Sequence, residues 1–189
     1  MTHPLSPYSY YLIIDLEATC CDQNTVPRKA METIEIGAVM VDASSLQIVA
    51  EFNTFIKPMR HPILTPFCTT LTTIEQTDVD SAPTYPEAIQ TLQHWLQPYE
   101  NIVFCSWGDY DYNQLRQDSE YHQLPFPIDA PHVNIKKLFS TTQQLPKAYG
   151  MNYALRLARL TLQGTHHRGI DDARNMARLL PWILGQQTL

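Results

Sequence analysis

No run in this 189-residue chain approaches the roughly 18 consecutive apolar residues that a membrane span requires, so a spanning helix is not expected. The first residues, "MTHPLSPYSYY", lack a basic start followed by an apolar stretch, and no signal peptide is expected. There are only four cysteines, Cys20, Cys21, Cys68 and Cys105, and no CxxC pair among them. A chain of this length can build a core without disulfide staples, so the expectation is reduced thiols in a cytoplasmic protein. Internal repeats, low-complexity tracts and long charge blocks are also missing. Basic residues are in the minority, 13 against 19 acids, for a formal charge of −6. That balance argues against a conventional basic nucleic-acid footprint. Ions must be counted first, however: two divalent cations on four carboxylates would move the formal −6 to near −2.

What is present is 44% apolar residues in a pattern that suits one globular domain, 1–189, with a core over about 10–184. Tyr10 to Leu16, Thr33 to Asp42 and Ile48 to Ile56 are rich in β-branched and aromatic residues with partial alternation. With "SSLQ" as a turn, they predict a three-strand antiparallel start. "KPMRHPILTP" reads as a proline-broken loop. A helix is predicted from Thr84, with Ala88, Leu92, Trp95 and Leu96 on one side. "NIVFCSW" is a fourth, short strand. Helices are predicted over Asp109–Tyr121, Asn134–Thr142, "GMNYALRLARL" and Ile170–Leu184. Strands first, then strand–helix alternation, imply a mixed sheet flanked by helices.

Acids interrupt this apolar pattern at three places. Side chains alternate along a strand, so Leu12, Ile14 and Leu16 share one face and Ile13, Asp15 and Glu17 the other. Two carboxylates about 7 Å apart on one face of a buried strand repel and resist burial unless cations sit between them. In "SWGDYDYNQL", Asp109 is placed to cap a helix and accept a backbone N–H, while Asp111 lies one turn before Leu115 and points inward. Complementing the helix dipole is the plainer reading of both. In "HHRGIDDARNMARLLPWIL", a 100° step per residue puts Asp172 inside the apolar arc and Asp171 beside Asn175 and Arg178 on the polar side. An acid on the buried face of a first helical turn fits a metal ligand. His167 or His166, on the loop entering this helix, supplies an imidazole.

"DLEATC", "SWGDYD" and "HRGIDDARN", in that order, resemble the three motifs of the DEDDh superfamily of 3′–5′ exonucleases. "ETIEIGAVMVD", "FNTFIKPMRHPILTPFCTTLTTIEQTDVDSAPTYPEA" and "NMARLL" extend the resemblance to its Eri-like, 3′ histone mRNA exonuclease branch, over about Tyr10 to Leu184. The resemblance implies a ribonuclease H-like fold, α/β, with a mixed five-stranded sheet flanked by helices on both faces. It implies metal-binding acids at Asp15, Glu17, Asp111 and Asp172, and a general base at His167. Two Mg²⁺ or Mn²⁺ ions per site are implied, one held by Asp15, Glu17 and Asp172. It places the terminal nucleotide against Glu17, the backbone at Ala18, His167 and the aromatic residues Phe67 and Tyr110. The departures are Tyr110, where relatives often carry Trp, and Thr73, where relatives commonly carry Gly.

The activity so implied is removal of nucleoside 5′-monophosphates from single-stranded 3′ ends of RNA or DNA, which share the 3′-terminal phosphodiester. Arg60, Lys57, Arg168 and His61 are candidates for a phosphate track. A hydrolase that clears short oligonucleotides, and a catalytically silent RNA-binding module on the same fold, are the other two readings.

Overall fold

The computed structural model describes residues 3–23 and 25–189. Its sheet has five strands in the order β3-β2-β1-β4-β5: β1 Tyr10–Ala18, β2 Thr33–Asp42, β3 Ile48–Phe55, β4 Ile102–Ser106 and β5 His132–Asn134. The first three are antiparallel to one another, whereas β4 and β5 run parallel to β1. The expected mixed sheet and antiparallel start are borne out, and the fifth strand is three residues that the apolar pattern does not mark. The helices are α1 Pro66–Thr72, α2 Gln76–Asp80, α3 Tyr85–Leu96, α4 Tyr110–Tyr121, α5 Ile135–Thr142, α6 Met151–Leu157, α7 Gly169–Arg178 and α8 Leu180–Ile183. Among the described residues, no helix is long and apolar enough to cross a membrane.

The alternation of β1 divides the core as its sequence predicts. Leu12, Ile14 and Leu16 pack with Tyr85, Ala88, Ile89 and Leu92 of α3 and Leu115 of α4. Ile13 faces the opposite layer, with Phe139 of α5, Leu155 of α6 and Ala173 and Met176 of α7. Helices therefore cover both faces. Asp15 and Glu17 lie on the face that α7 covers.

Two glycines set how closely α7 approaches. A methyl group on Gly37 of β2 would lie 2.0 Å from the Gly169 carbonyl carbon, and one on Gly169 would lie 2.9 Å from the Asp15 carbonyl oxygen. Backbone therefore packs on backbone here, and the first turn of α7 comes down directly beside the carboxyl end of β1. Glu35, fully buried on β2, fixes the same corner. Its carboxylate accepts from the Gly169 amide at 3.0 Å and from the Arg168 guanidinium at 3.2 Å.

Two local results depart from expectation. Asp109 does occupy the residue before α4, but its side chain makes no capping bond; it accepts instead from Asn134 Nδ2 at 2.9 Å and Lys137 Nζ at 3.4 Å. These partners lie about 25 residues away, so local spacing gives no sign of them. Asn175, placed on the polar side, is fully buried, where it donates to the Gln163 carbonyl and accepts from the Gln163 amide.

Thr73 ends α1 in the left-handed conformation, φ 60°, and its amide donates to the Thr69 carbonyl at 2.9 Å. A β-branched side chain is strained there, where glycine is not. Thr73→Gly is expected to stabilise the protein by about 1 kcal/mol, read as a higher urea midpoint with an unchanged slope. A lower midpoint would show that the Thr73 side chain contributes more than its backbone costs.

Candidate active site

The strand, the glycine contact and α4 bring four acids together. One oxygen each of Asp15, Glu17 and Asp172 lies within 4.8 Å of the others. Asp111 sits beneath them, buried, its Oδ1 accepting the Leu16 amide at 3.0 Å. The parallel pairing of β1 with β4 ends at Ile13 and Cys105, so Leu16 lies beyond the last paired residue and Asp111 receives its amide. All four acids line one cavity of about 430 Å³, together with Ala18, Tyr110, His166 and His167.

The electrostatics are those of an uncompensated anion cluster. Burial first, and then Asp172, Glu35 and Asp111, push the Glu17 carboxyl up to about 9. Burial and the neighbouring acids Asp111, Glu17 and Asp172 also raise Asp15 well above the ordinary carboxylate range. Burial likewise raises Asp111, to about 6, against the pull of the Leu16 amide. Asp172 is raised by burial and partly held down by His166 and the His167 amide. A convergent set of carboxylate oxygens, without sulfur, suits a hard divalent cation. The site residues fit the metal that the fold family implies.

Both histidines reach Asp172, by different atoms. His166 Nδ1 lies 2.9 Å from Asp172 Oδ2, and the backbone amide of His167 donates to the same oxygen at 3.0 Å. His167 adopts a positive φ of 63°, and its ring stacks on that of His166 with centroids 3.9 Å apart. The His167 ring is thus left without a bond to Asp172. Burial, then His166, lower its pKa below the usual imidazole value. A third anchor holds the loop: Asp171 accepts the Thr165 amide at 2.8 Å and pairs with Arg174 at 3.1 Å.

Tyr110 lines the cavity with the Arg28 guanidinium 3.9 Å over its ring. Burial pushes its hydroxyl up to about 12, so it stays neutral. Phe67, 39% exposed, lies on α1 in an adjoining hollow with Cys21, Asp22 and Thr70. Leu71, one turn further along α1, lines the acidic cavity itself, as do Trp107, Met151 and Tyr153. The sequence reading did not select these four; ordinary core packing gives the same apolar spacing.

Arg60 and Arg168 are not available as a phosphate track. Arg60 lies between Asp118 at 3.3 Å and the Met31 carbonyl, and the Glu32 carboxylate accepts the amides of Met59, Arg60 and His61. Arg168 is spent on Glu35. Both face buried carboxylates that need a cation more than solvent does.

The strand order, with acids at the carboxyl end of the central strand and on two covering helices, defines a ribonuclease H-like nuclease architecture. The family model for Exonuclease (RNase_T) matches residues 12–180, and the chain belongs to that family. It is 31% identical over 191 residues to ERI1 exoribonuclease 3 of Bos taurus, covering 95% of this chain and 55% of that protein. It is 29% identical to 3′-5′ exonuclease eri1 of Schizosaccharomyces pombe, over 90% of this chain and 66% of that one. The chain thus spans from about half to two thirds of the length of these relatives. Among solved structures, the nuclease domain of 3′hExo, a DEDDh family member bound to rAMP, superposes with a TM-score of 0.88 at 28% identity, covering 96% of this chain and 94% of that one. A 3′-exonuclease recognising the histone mRNA stem-loop gives 0.86 at 26% identity, covering 95% and 64%.

Proposed function

We propose that the chain is a metal-dependent 3′–5′ exonuclease that releases nucleoside 5′-monophosphates from single-stranded 3′ ends, RNA before DNA. The observation that carries this reading is the convergence of Asp15, Glu17 and Asp172 within 4.8 Å in a cavity that also holds His167. The relatives named as exoribonucleases, and the solved neighbours described with rAMP and with a histone mRNA stem-loop, favour RNA. The protein is read as one exonuclease domain over 1–189. Its four free cysteines suit the cytoplasm.

Asp15, Glu17 and Asp172 would hold the metal, with Asp111 securing the strand end beneath them. Two divalent ions, Mg²⁺ or Mn²⁺, supply charge stabilisation at the scissile phosphate and at the leaving 3′ oxygen when bound. His167 takes the proton of the attacking water; its lowered pKa keeps the ring neutral and able to accept at pH 7. His166 holds Asp172 in place through Nδ1. Glu17 and the backbone at Ala18 receive the terminal ribose hydroxyl, Tyr110 and Leu71 bound the base within the cavity, and Phe67 would meet it only from the neighbouring hollow. Aromatic faces read any base, so sequence preference is expected to be weak.

The test is stepwise shortening of a 5′-labelled single-stranded RNA, with the released mononucleotides identified by chromatography, in Mn²⁺ and in EDTA. Activity in EDTA would overturn metal dependence, and no release with Mn²⁺ would leave a silent binding module. His167→Ala is expected to lower kcat by at least about 10²-fold. His166→Ala, which loosens Asp172 without removing the base, is expected to cost roughly tenfold, as loss of a partner that orients a metal ligand does. The opposite ranking in steady-state kinetics would assign the base to His166.

A further inference from the structure

Between Asp129 and Asp171 the chain carries not one carboxylate, yet it carries Lys136, Lys137, Lys147, Arg156, Arg159 and Arg168, in a protein of formal charge −6. Lys137 pairs with Asp109 and Arg168 with Glu35. Lys147, Arg156 and Arg159 are exposed and have no carboxylate partner among the described residues.

Two of these cations lie against aromatic rings. Lys147 Nζ is 5.3 Å from the centroid of Tyr149, and Arg156 Cζ is 5.3 Å from that of Tyr153. The two tyrosines stack on each other, with centroids 4.6 Å apart and planes inclined by 23°. Trp107 Nε1 donates to the Tyr149 carbonyl at 3.0 Å and holds this corner against the end of β4. The core does not account for the pair: α6 buries Met151, Ala154 and Leu155, while Tyr153 stays 44% exposed. Tyr153 nonetheless lines the acidic cavity. The pair therefore stands at its rim, half in the site and half in solvent.

We propose that Tyr149, Tyr153, Lys147 and Arg156 form a platform for the unpaired nucleotides upstream of the last two at the 3′ end. The inference rests on the exonuclease reading, because a strand whose last nucleotide is in the cavity must leave across its rim. Stacked phenol faces suit unpaired bases, and the flanking cations suit the phosphates between them. The charge is complementary only to a polyanion. A duplex offers no free base face to the tyrosines, so the occupant is a single strand of nucleic acid.

The experiment measures binding without turnover. A fluorescein-labelled 12-nucleotide single-stranded RNA is titrated in EDTA by anisotropy over a range of salt, with the wild-type protein and with Lys147→Ala/Tyr149→Ala/Arg156→Ala. The variant is expected to bind roughly tenfold or more weakly, the scale of one lost stacking contact. Its slope of log K against log salt should fall by about 1.4, for two phosphate contacts of a single strand. Hydrolysis of a dinucleotide with Mn²⁺ should stay within about twofold, since so short a substrate does not reach the rim. Wild-type affinity and slope in the variant overturn the platform, and so does a parallel loss of dinucleotide hydrolysis, which would place the defect in the cavity. A wild-type protein that binds the 12-mer but cleaves nothing, with the variant binding more weakly, would sink the exonuclease reading and leave the platform standing. Should the triple variant fail to fold, Lys147→Ala/Arg156→Ala, confined to exposed side chains, gives the same salt-slope readout.

Discussion

Asp15→Asn and Asp172→Asn are each expected to reduce nucleotide release by at least about 10²–10³-fold, the scale for removing one preorganised charge from a reacting centre. Both should leave the circular dichroism spectrum unchanged. In EDTA, Asp15→Asn should melt at a higher temperature than the wild type. Asp15 is pressed by burial and by Asp111, Glu17 and Asp172, so a neutral amide removes repulsion that the ion-free protein has no means to relieve. Asp172→Asn keeps an acceptor oxygen for the His167 amide and so preserves the loop.

The same cluster fixes a pH dependence. Glu17 holds its proton to about 9 in the folded chain, against an ordinary value of 4.5. Between those two pH values the unfolded chain binds fewer protons than the native one. Stability from this group is therefore fully present below about 4.5 and is lost as pH rises through about 9. The melting temperature in EDTA should fall across that window, and Mn²⁺ should flatten the fall. Melts at pH 5 and pH 9, with and without the ion, check this. An apo protein that gains stability toward pH 9, or full turnover in either Asn variant, would dismantle the metal site.

A substrate ending in a 3′-phosphate should be cut at least about 10²-fold more slowly than one ending in a 3′-hydroxyl, a difference of roughly 2.7 kcal/mol in the barrier. The terminal hydroxyl is assigned to Glu17 and the backbone at Ala18, at the end of β1. A phosphate there adds close to two negative charges beside a carboxylate already surrounded by Asp172, Glu35 and Asp111. Blocking the 5′ end should change little, because that end points away. Following 5′-labelled products on a gel separates the cases. A ladder that shortens one nucleotide at a time from the 3′ side fits the site as built. Internal cuts, or equal rates on the two ends, would mean that the cavity is not arranged around a free 3′-hydroxyl.

Much of this was legible because it is local. The alternation of β1 sorted Leu12, Ile14 and Leu16 from Ile13, Asp15 and Glu17, and the two packed layers keep that division. Helical spacing separated buried Asp172 from Asp171 in one doublet, and Asp111 from Asp109 in the other. Thr84 begins α3 where its pattern begins. What stayed hidden depends on distance along the chain. The partners of Glu35, Arg60 and Asp109 lie tens of residues away. The helices α1 and α2 are short, proline-flanked and rich in threonine and acids, so their turns come from caps and packing rather than propensity. β5 is too short to show any period.

Asp111 and Asp118 stand seven residues apart on α4, about two helical turns, and each accepts a backbone amide from the sheet: Leu16 at 3.0 Å and Thr33 at 3.0 Å. One anchor is near the end of β1 and the other at the start of β2. Together they act as a two-pin key. A slide of α4 by one turn would break both bonds at once, so the two anchors together hold the helix in one register. The acid at the floor of the cavity is consequently also a fastener of the strand that carries the other two, and a change at 111 dislodges the scaffold and the site in one event, where a change at 15 alters only the charge.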